Sequence, residues 1–154
     1  MLSFGATIEE MVHFWKIYCR SQIEQSSQLW SSSLSQENID DLERTQKAFA
    51  KLVLKNRYNN DIHSYEHALL ILNLETLEKR RKDLSLNLAK NGVKNETMTN
   101  FFQEKDKNHS MALRNTEKYQ VFNANTDRMR ESSIIYMQNL LNSDHKAKEK
   151  ETKL

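Results

Sequence analysis

The sequence predicts an all-α fold, an irregular bundle of about five to six helices. Proline is absent and glycine occurs only at Gly5 and Gly92, so the chain is poor in the residues that tight β-turns require. Its Asn-Gly pair, at 91–92, follows a helical pattern and does not separate two strand patterns. Apolar residues recur at three- and four-residue steps, as expected for amphipathic helices.

Length and composition predict a folded part flanked by solvated segments. The 154 residues are enough for one domain with a core, but only 38% of them are hydrophobic and the mean hydropathy is −0.81. We therefore expect a helical domain at 1–93, a loosely docked loop and helix at 94–142, and a charged tail at 143–154. The tail should be frayed or only weakly helical.

The first helix is predicted to begin after Thr7. Thr7 and Glu10 have the spacing of a capping box, in which each side chain hydrogen-bonds the backbone amide of the other residue. The apolar stripe continues in the same or a second helix as far as the serines at 31–33. It comprises Ile8, Met11, Val12, Trp15, Cys19, Ile23, Leu29 and Trp30.

The clearest helix follows Ser35, which can cap it, and Glu37 in the first turn is favourable to the helix dipole. Its apolar seam alternates three- and four-residue steps, a spacing that predicts packing against another helix. A polar loop is expected at 56–63. The seam consists of Ile39, Leu42, Gln46, Phe49 and Val53.

Three more helices are predicted in the rest of the chain. Ser64 can cap a short one, and Thr76 opens a longer one that ends at Gly92 in the left-handed conformation. Residues 94–125 have little periodicity beyond the Phe101-Phe102 pair, so we expect a loop-rich stretch there. A last helix is expected at 128–142.

We find no residue pattern typical of a catalytic or metal site. Asp40 and Asp41 are helix neighbours whose side chains point about 100° apart, whereas a two-metal site needs converging carboxylates. His63 and His67 have the four-residue spacing of metal ligands, but no further ligand follows at a matching spacing. We interpret both histidines as edge residues and expect no metal and no cofactor for this chain.

Reactive and aromatic side chains lie in apolar patterns. Cys19 is interpreted as core filler, because it is not placed near a helix start where a thiol is activated. Trp15 and Trp30 are interpreted as core residues and not as platforms for base stacking.

Glycine-rich phosphate loops and the Gly-x-Ser-x-Gly motif are missing.

Basic residues suggest at most a contact with a nucleic-acid backbone. The 23 lysines and arginines face 21 acids, a net charge of +2, and acids are mixed into the basic runs, which favours a solvated face. Arg80, Arg81 and Lys82 are candidates for phosphate contacts from the exposed side of a helix. Arg20 and Arg44 are further candidates.

We expect an intracellular protein, in the nucleus, the cytoplasm or both, and not a secreted one. No segment approaches the ~20 apolar residues of a membrane span, so no membrane partner is expected. The start lacks the basic and apolar regions of a signal peptide. The single cysteine excludes an internal disulfide.

Several short words of the sequence occur in an order that resembles one family. The words are IEEMVHFWKIYCRS (8–21), EQS (24–26), LWSSSL (29–34), QEN (36–38), DLERTQK (41–47), SYEHAL (64–69), LEKRR (77–81), LAKNG (88–92) and YMQNLLN (136–142). They resemble the segment just after the reverse-transcriptase domain of animal LINE-type (non-LTR) retrotransposon endonuclease–reverse transcriptases. The resemblance covers the chain from about residue 1 to residue 142.

The resemblance implies a parent enzyme that nicks DNA and copies its own RNA onto the freed end, an RNA-directed DNA polymerase that uses Mg²⁺. This region would be a helical extension beyond the palm and thumb. The family's polymerase aspartates lie in an aromatic-x-Asp-Asp turn that has no matching position here, so no catalytic residue carries over. The chain lacks the family's prolines near Phe102 and Ile135, a loss that fits a decayed or truncated element copy.

Two functions are expected from these observations. The first is a non-catalytic fragment of the polymerase that assists binding of RNA or an RNA/DNA duplex. The alternative is a helical protein-interaction or self-association module with no nucleic-acid role. It would use the seam at 39–53 to meet a partner helix or its own copy.

Overall fold

The computed structural model describes residues 5–55, 64–105 and 117–152 and confirms the all-α fold. Within these ranges no sheet forms, and one isolated antiparallel bridge pairs Glu104 with Tyr119. Contacts divide the chain into two compact units, one of Met1–Ser27 and Leu34–Arg81, the other of Gln28–Ser33 and Lys82–Leu154. The expected boundary near residue 93 stays a prediction. The predicted loop at 56–63, with His63, lies outside the described residues.

The first helix begins where the capping box predicts. Helix α1 covers Ile8–Phe14, and the Thr7 amide donates to Glu10 Oε2 at 2.8 Å. The Glu10 amide donates to Thr7 Oγ1 at 3.2 Å, so both halves of the box are present. These bonds satisfy backbone amides that a helix start leaves without an intrahelical partner.

A π-helix at Trp15–Cys19 follows α1 without a break and leads into α2, Arg20–Glu24. The Arg20 amide donates to the Trp15 carbonyl, five residues back, as in a π-turn. In an α-helix, side chains four residues apart drift steadily around the helix axis, because one turn takes about 3.6 residues. The wider π-turn reduces this drift. Trp15, Cys19 and Ile23 therefore all pack on the core of this unit.

The expected second helix before the serines at 31–33 is present, but the apolar stripe does not continue along it. Helix α2 ends at Glu24. Ser26 follows with a φ of +53°, which a right-handed helix does not accommodate. Helix α3 covers only Ser27–Trp30 and is followed by a 3₁₀ turn at Ser31–Ser33. Leu29 is exposed and Trp30 is half-buried, so neither continues the buried stripe.

The predicted serine caps of the next two helices are confirmed. Helix α4 covers Gln36–Leu54, with the Asn38 amide donating to Ser35 Oγ at 3.3 Å. Helix α5 covers Tyr65–Ile71, with an equivalent bond to Ser64. Asn73, at a φ of +48°, ends α5 in a Schellman turn in which the Leu74 amide donates to the Leu69 carbonyl at 2.9 Å.

The core of the first unit is built by α1, the π-helix, α4, α5 and the turn after α5. Trp15 is its largest buried residue and stacks on Phe49, with ring centroids 4.5 Å apart. The interpretation of Trp15 as a core residue is confirmed. The buried members are Val12, Trp15, Ala50, Val53, Leu54, Ala68, Leu69, Leu72 and Leu74.

Helix α6 covers Leu77–Lys94 and begins at the Thr76 cap, as predicted. The prediction that it ends at Gly92 in the left-handed conformation is wrong, because the helix passes through Gly92 for two more residues. A Cβ built on Gly92 would lie 2.6 Å from Cε2 of the buried Phe102. Glycine is required here by close packing against a ring, and not by a positive φ.

The last helical region also differs from the expectation. Helix α7 covers Asp127–Arg130, and Ser132 then caps α8, Ser133–Glu151, so one predicted helix is two. The part of the expected charged tail at 143–151 is helical. Asp144 and Lys148, one turn apart, form an ion pair of 2.8 Å, and such pairs stabilise an exposed helical turn.

The loop-rich stretch is confirmed where it is described, with only a 3₁₀ turn at Thr99–Phe101 between α6 and α7. Two amide side chains of α8 form hydrogen bonds with the backbone of this loop-rich stretch. Asn142 accepts from the Tyr119 amide at 2.8 Å and donates to the Tyr119 carbonyl at 3.1 Å. Gln138 donates to the Phe101 carbonyl at 2.6 Å. The second core consists of Ala89, Phe102, Tyr119, Met137 and Leu141.

None of the helices in the described ranges combines the length and the apolar character needed to cross a membrane.

Candidate functional site

Two of the five arginine and lysine candidates meet at one carboxylate in the first unit. Arg80 donates two hydrogen bonds to Glu24, from Nε to Oε1 at 2.5 Å and from Nη2 to Oε2 at 3.0 Å. Arg20 Nε lies 3.6 Å from the same Oε1. Burial, and after it repulsion from Arg80, lowers the pKa of Arg20. Both guanidinium groups lie against Glu24 and are largely covered, and the bonds from Arg80 tie α6 to α2.

The expectation that Arg80, Arg81 and Lys82 share an exposed helix side is wrong. Consecutive residues of a helix point about 100° apart, and the structure places Arg81 inside, with 2% of its surface exposed, whereas Lys82 is exposed. Arg44 is exposed and pairs with Asp41, one turn earlier, at 2.7 Å. The candidates therefore form no common cationic surface.

The acid and histidine candidates also lie apart. Asp40 accepts a bond from Gln36 Nε2 at 3.0 Å, whereas Asp41 pairs with Arg44, so the two carboxylates have different partners. His67 is exposed in the first turn of α5. Among residues 5–55, 64–105 and 117–152, no three histidine, cysteine, aspartate or glutamate side chains come together as metal ligands.

The second unit contains a basic pocket of about 310 Å³ that the sequence did not reveal. Lys90 and Lys94 enter it from one face of α6, one turn apart, and Lys148 enters it from α8. Lys118 precedes Tyr119, whose backbone is held by Asn142. The lining residues are Lys90, Val93, Lys94, Lys118, Tyr119, Leu141, Asp144, His145 and Lys148.

One carboxylate forms ion pairs with two of the four lysines of the basic pocket. Asp144 Oδ2 lies 2.8 Å from Lys148 Nζ and 3.1 Å from Lys90 Nζ. The hydrogen bond from Lys148, followed by that from Lys90, lowers the pKa of Asp144, and the same contact raises the pKa of Lys148. Asp144 is therefore an anion at neutral pH, and Lys148 is a cation.

The two other lysines of the basic pocket differ in their partners. Lys118 pairs with Glu104 at 2.9 Å, a bond that raises the pKa of Lys118. Its Nζ also lies 5.3 Å from the centroid of the Tyr119 ring, within cation–π range. Lys94 is exposed and forms no ion pair with any residue that the structure describes. Positive charge therefore exceeds negative charge in the basic pocket.

A partial signal for the basic pocket is present in the sequence. Lys90 and Lys94 have the spacing of a shared helix face, as do Asp144 and Lys148. The approach of 118–119 to these helices is not visible in the sequence, because it depends on an irregular backbone segment held by side chains of α8.

The first unit contains an apolar groove of about 970 Å³ between the α1–π-helix segment and α4. Its floor is the stacked pair of Trp15 and Phe49, and Phe14 and Leu52 on its sides are more than half exposed. Cys19 also lines it and packs at the edge of the core. Large exposed apolar side chains around one groove are typical of a surface that binds another molecule.

No protein-family model, no curated protein and no solved structure matches this chain. Function is therefore inferred from the sequence words and from the two surfaces described above, the basic pocket and the apolar groove.

Proposed function

We propose that this chain is a non-catalytic helical segment from the carboxy-terminal part of a LINE-type retrotransposon endonuclease–reverse transcriptase, where it helps to hold RNA or the primer duplex. The observation that supports this origin is the ordered set of sequence words between residues 8 and 142. Independent short matches in one order are far more specific than any one of them.

A contact with a nucleic-acid backbone is supported by the basic pocket. Its four lysines and single lining aspartate leave an excess of positive charge, which attracts phosphates without reading bases.

The origin is tested by sequencing the transcript upstream of Met1. An in-frame strand with an aromatic-x-Asp-Asp turn is the expected result, and an unrelated untranslated leader would contradict the proposal. The purified chain should not extend a primer on an RNA template with Mg²⁺ present. Extension above the level of a heat-denatured sample would contradict the non-catalytic role.

The nucleic-acid role is tested by fluorescence anisotropy with a labelled single-stranded RNA. We expect affinity to fall as salt rises, with log K linear in log salt, because binding releases counterions from phosphates. Affinity independent of salt, or no binding at 50 mM salt, would contradict the role.

A second candidate function, self-association, is favoured by the apolar groove. The seam at 39–53 is used inside the first unit, since Gln46 and Val53 are buried and Phe49 stacks on Trp15. An association surface would therefore be the groove, with Phe14 and Leu52 at its sides. Light scattering that shows a dimer, together with no salt-dependent RNA binding, would favour this candidate over the first.

A further inference from the structure

We infer that the basic pocket of the second unit binds a phosphate of a polynucleotide backbone, with Lys90, Lys94 and Lys148 as its donors. The inference rests on the proposed nucleic-acid role and assigns its contact to residues that were not among the five arginine and lysine candidates.

A lysine ammonium has three N–H donors and no acceptor. Lys90 and Lys148 each direct one donor at the same atom, Asp144 Oδ2, at 3.1 and 2.8 Å. Each then retains donors for a further acceptor, while the shared carboxylate fixes the position of both ammonium groups. A phosphate offers several oxygens, so it can accept from both at once.

Lys94 supplies charge that no carboxylate in the described part of the chain offsets. It lies one turn after Lys90 on α6 and lines the same pocket. Because Lys94 has no ion pair to lose, its substitution changes the charge of the basic pocket without disturbing the Asp144 contacts.

The dimensions of the pocket fit a phosphate and its sugar. Its volume is about 310 Å³, and Val93, Tyr119 and Leu141 give it an apolar floor. Lysines act on phosphate as point charges and have no planar fork to select a base edge. Binding should therefore be independent of nucleotide sequence.

The test uses the full chain with the substitution Lys94→Gln and a labelled oligouridine of about 12 nucleotides, titrated by anisotropy over a series of salt concentrations. Each ionic contact with a single strand contributes about 0.7 to the slope of log K against log salt. We expect the steepness of the slope to fall by about 0.7 in Lys94→Gln. The matched control is Lys47→Gln, which removes an exposed helix lysine of the first unit and should leave the slope unchanged.

The outcomes separate the two proposals. RNA binding by the native chain with an unchanged slope in Lys94→Gln overturns the phosphate pocket and leaves the nucleic-acid role intact. Absence of RNA binding by the native chain overturns both. A second measurement follows the amide NMR signals of Lys94 and Tyr119. Shifts with inorganic phosphate but not with oligouridine would show a site for small anions, and would overturn the assignment to a polynucleotide.

Discussion

The amide of Gln46 connects four parts of the first unit through one fully buried side chain. Its Oε1 accepts from Trp15 Nε1 at 3.4 Å, and its Nε2 donates to Tyr65 Oη at 3.0 Å and to the Glu75 carbonyl at 2.9 Å. Tyr65 in turn donates to Glu43 at 2.8 Å. A residue at an apolar seam position is polar here because it satisfies groups that would otherwise be buried without partners.

We predict that Gln46→Ala lowers the free energy of unfolding by about 2–4 kcal/mol, because it leaves buried polar groups unpaired and opens a small cavity. Urea denaturation monitored by tryptophan fluorescence measures the change. The matched control is Gln36→Ala, which removes an exposed amide bonded only to Asp40 within the described residues and should cost less than about 0.5 kcal/mol. Equal losses in both variants would show that the buried network adds nothing to stability.

Residue-level predictions succeeded where the partner is close in sequence. The caps at Thr7, Ser35 and Ser64 each bond an amide three residues away, so spacing alone identifies them. The partners of Gln46 are 19 to 31 residues distant, and no local pattern indicates them. The prediction that Arg81 is exposed was wrong for a related reason, because the sequence carries no signal that a charged residue is buried.

The packing of helix α6 depends on the absence of a side chain at Gly92. Gly92 costs helix propensity, about 1 kcal/mol relative to alanine, yet it lets the Phe102 ring lie against the α6 backbone. Phe102 is almost completely buried in the core of the second unit. Packing therefore outweighs propensity at this position.

We predict that Gly92→Ala destabilises the chain by about 1–3 kcal/mol, since an added methyl overpacks the contact by more than the propensity gain offsets. Thermal unfolding followed by circular dichroism measures the effect. The double variant Gly92→Ala with Phe102→Leu should be less destabilised than the sum of the two single variants. A stabilised Gly92→Ala would show that the ring moves away without cost.

Helix α8 extends nine residues past the predicted end at 142 because its charges are arranged at helical spacing. The expectation of a frayed tail rested on composition, and composition does not record which charges lie one turn apart. Asp144 meets Lys148 within α8 and Lys90 of α6, so the turn is held by a neighbouring helix as well.

We predict a carboxyl pKa for Asp144 below its usual 3.8, because the hydrogen bonds from Lys148 and then Lys90 favour the anion. A lowered pKa contributes stability that is fully present above the pKa of the unfolded chain and is lost as pH falls through the folded value. Carbon-detected NMR titration measures the pKa directly. Asp144→Asn should weaken the loss of stability in acid, because it removes the group whose pKa is lowered.

The fold class of the whole molecule follows from composition, because a chain without proline and with two glycines cannot build many tight turns. The division into two units does not follow from it. The segment Gln28–Ser33 belongs with residues 82–154, and such a grouping depends on contacts distant in sequence. The basic pocket was missed for the same reason, since it needs α6, α8 and an irregular segment together.

Self-association makes a prediction for the whole molecule. If the apolar groove forms a dimer contact, Leu52→Lys should shift the equilibrium toward monomer, because it places a charge on the groove wall. Leu52 is 53% exposed, so the substitution should cost little folding stability. Leu70→Lys is the matched control, at a leucine that is 79% exposed and does not line the groove. A monomer at all concentrations in the native chain would remove this candidate function.

The separation of the two cores has a spectroscopic consequence. Trp15 belongs to the first unit, where Phe49 covers its ring, and Trp30 belongs to the second. Each unit thus has an intrinsic fluorophore of its own, and replacing one indole with phenylalanine leaves emission from the other. Denaturation curves of the two single-tryptophan chains would show whether the halves melt in one step or in succession.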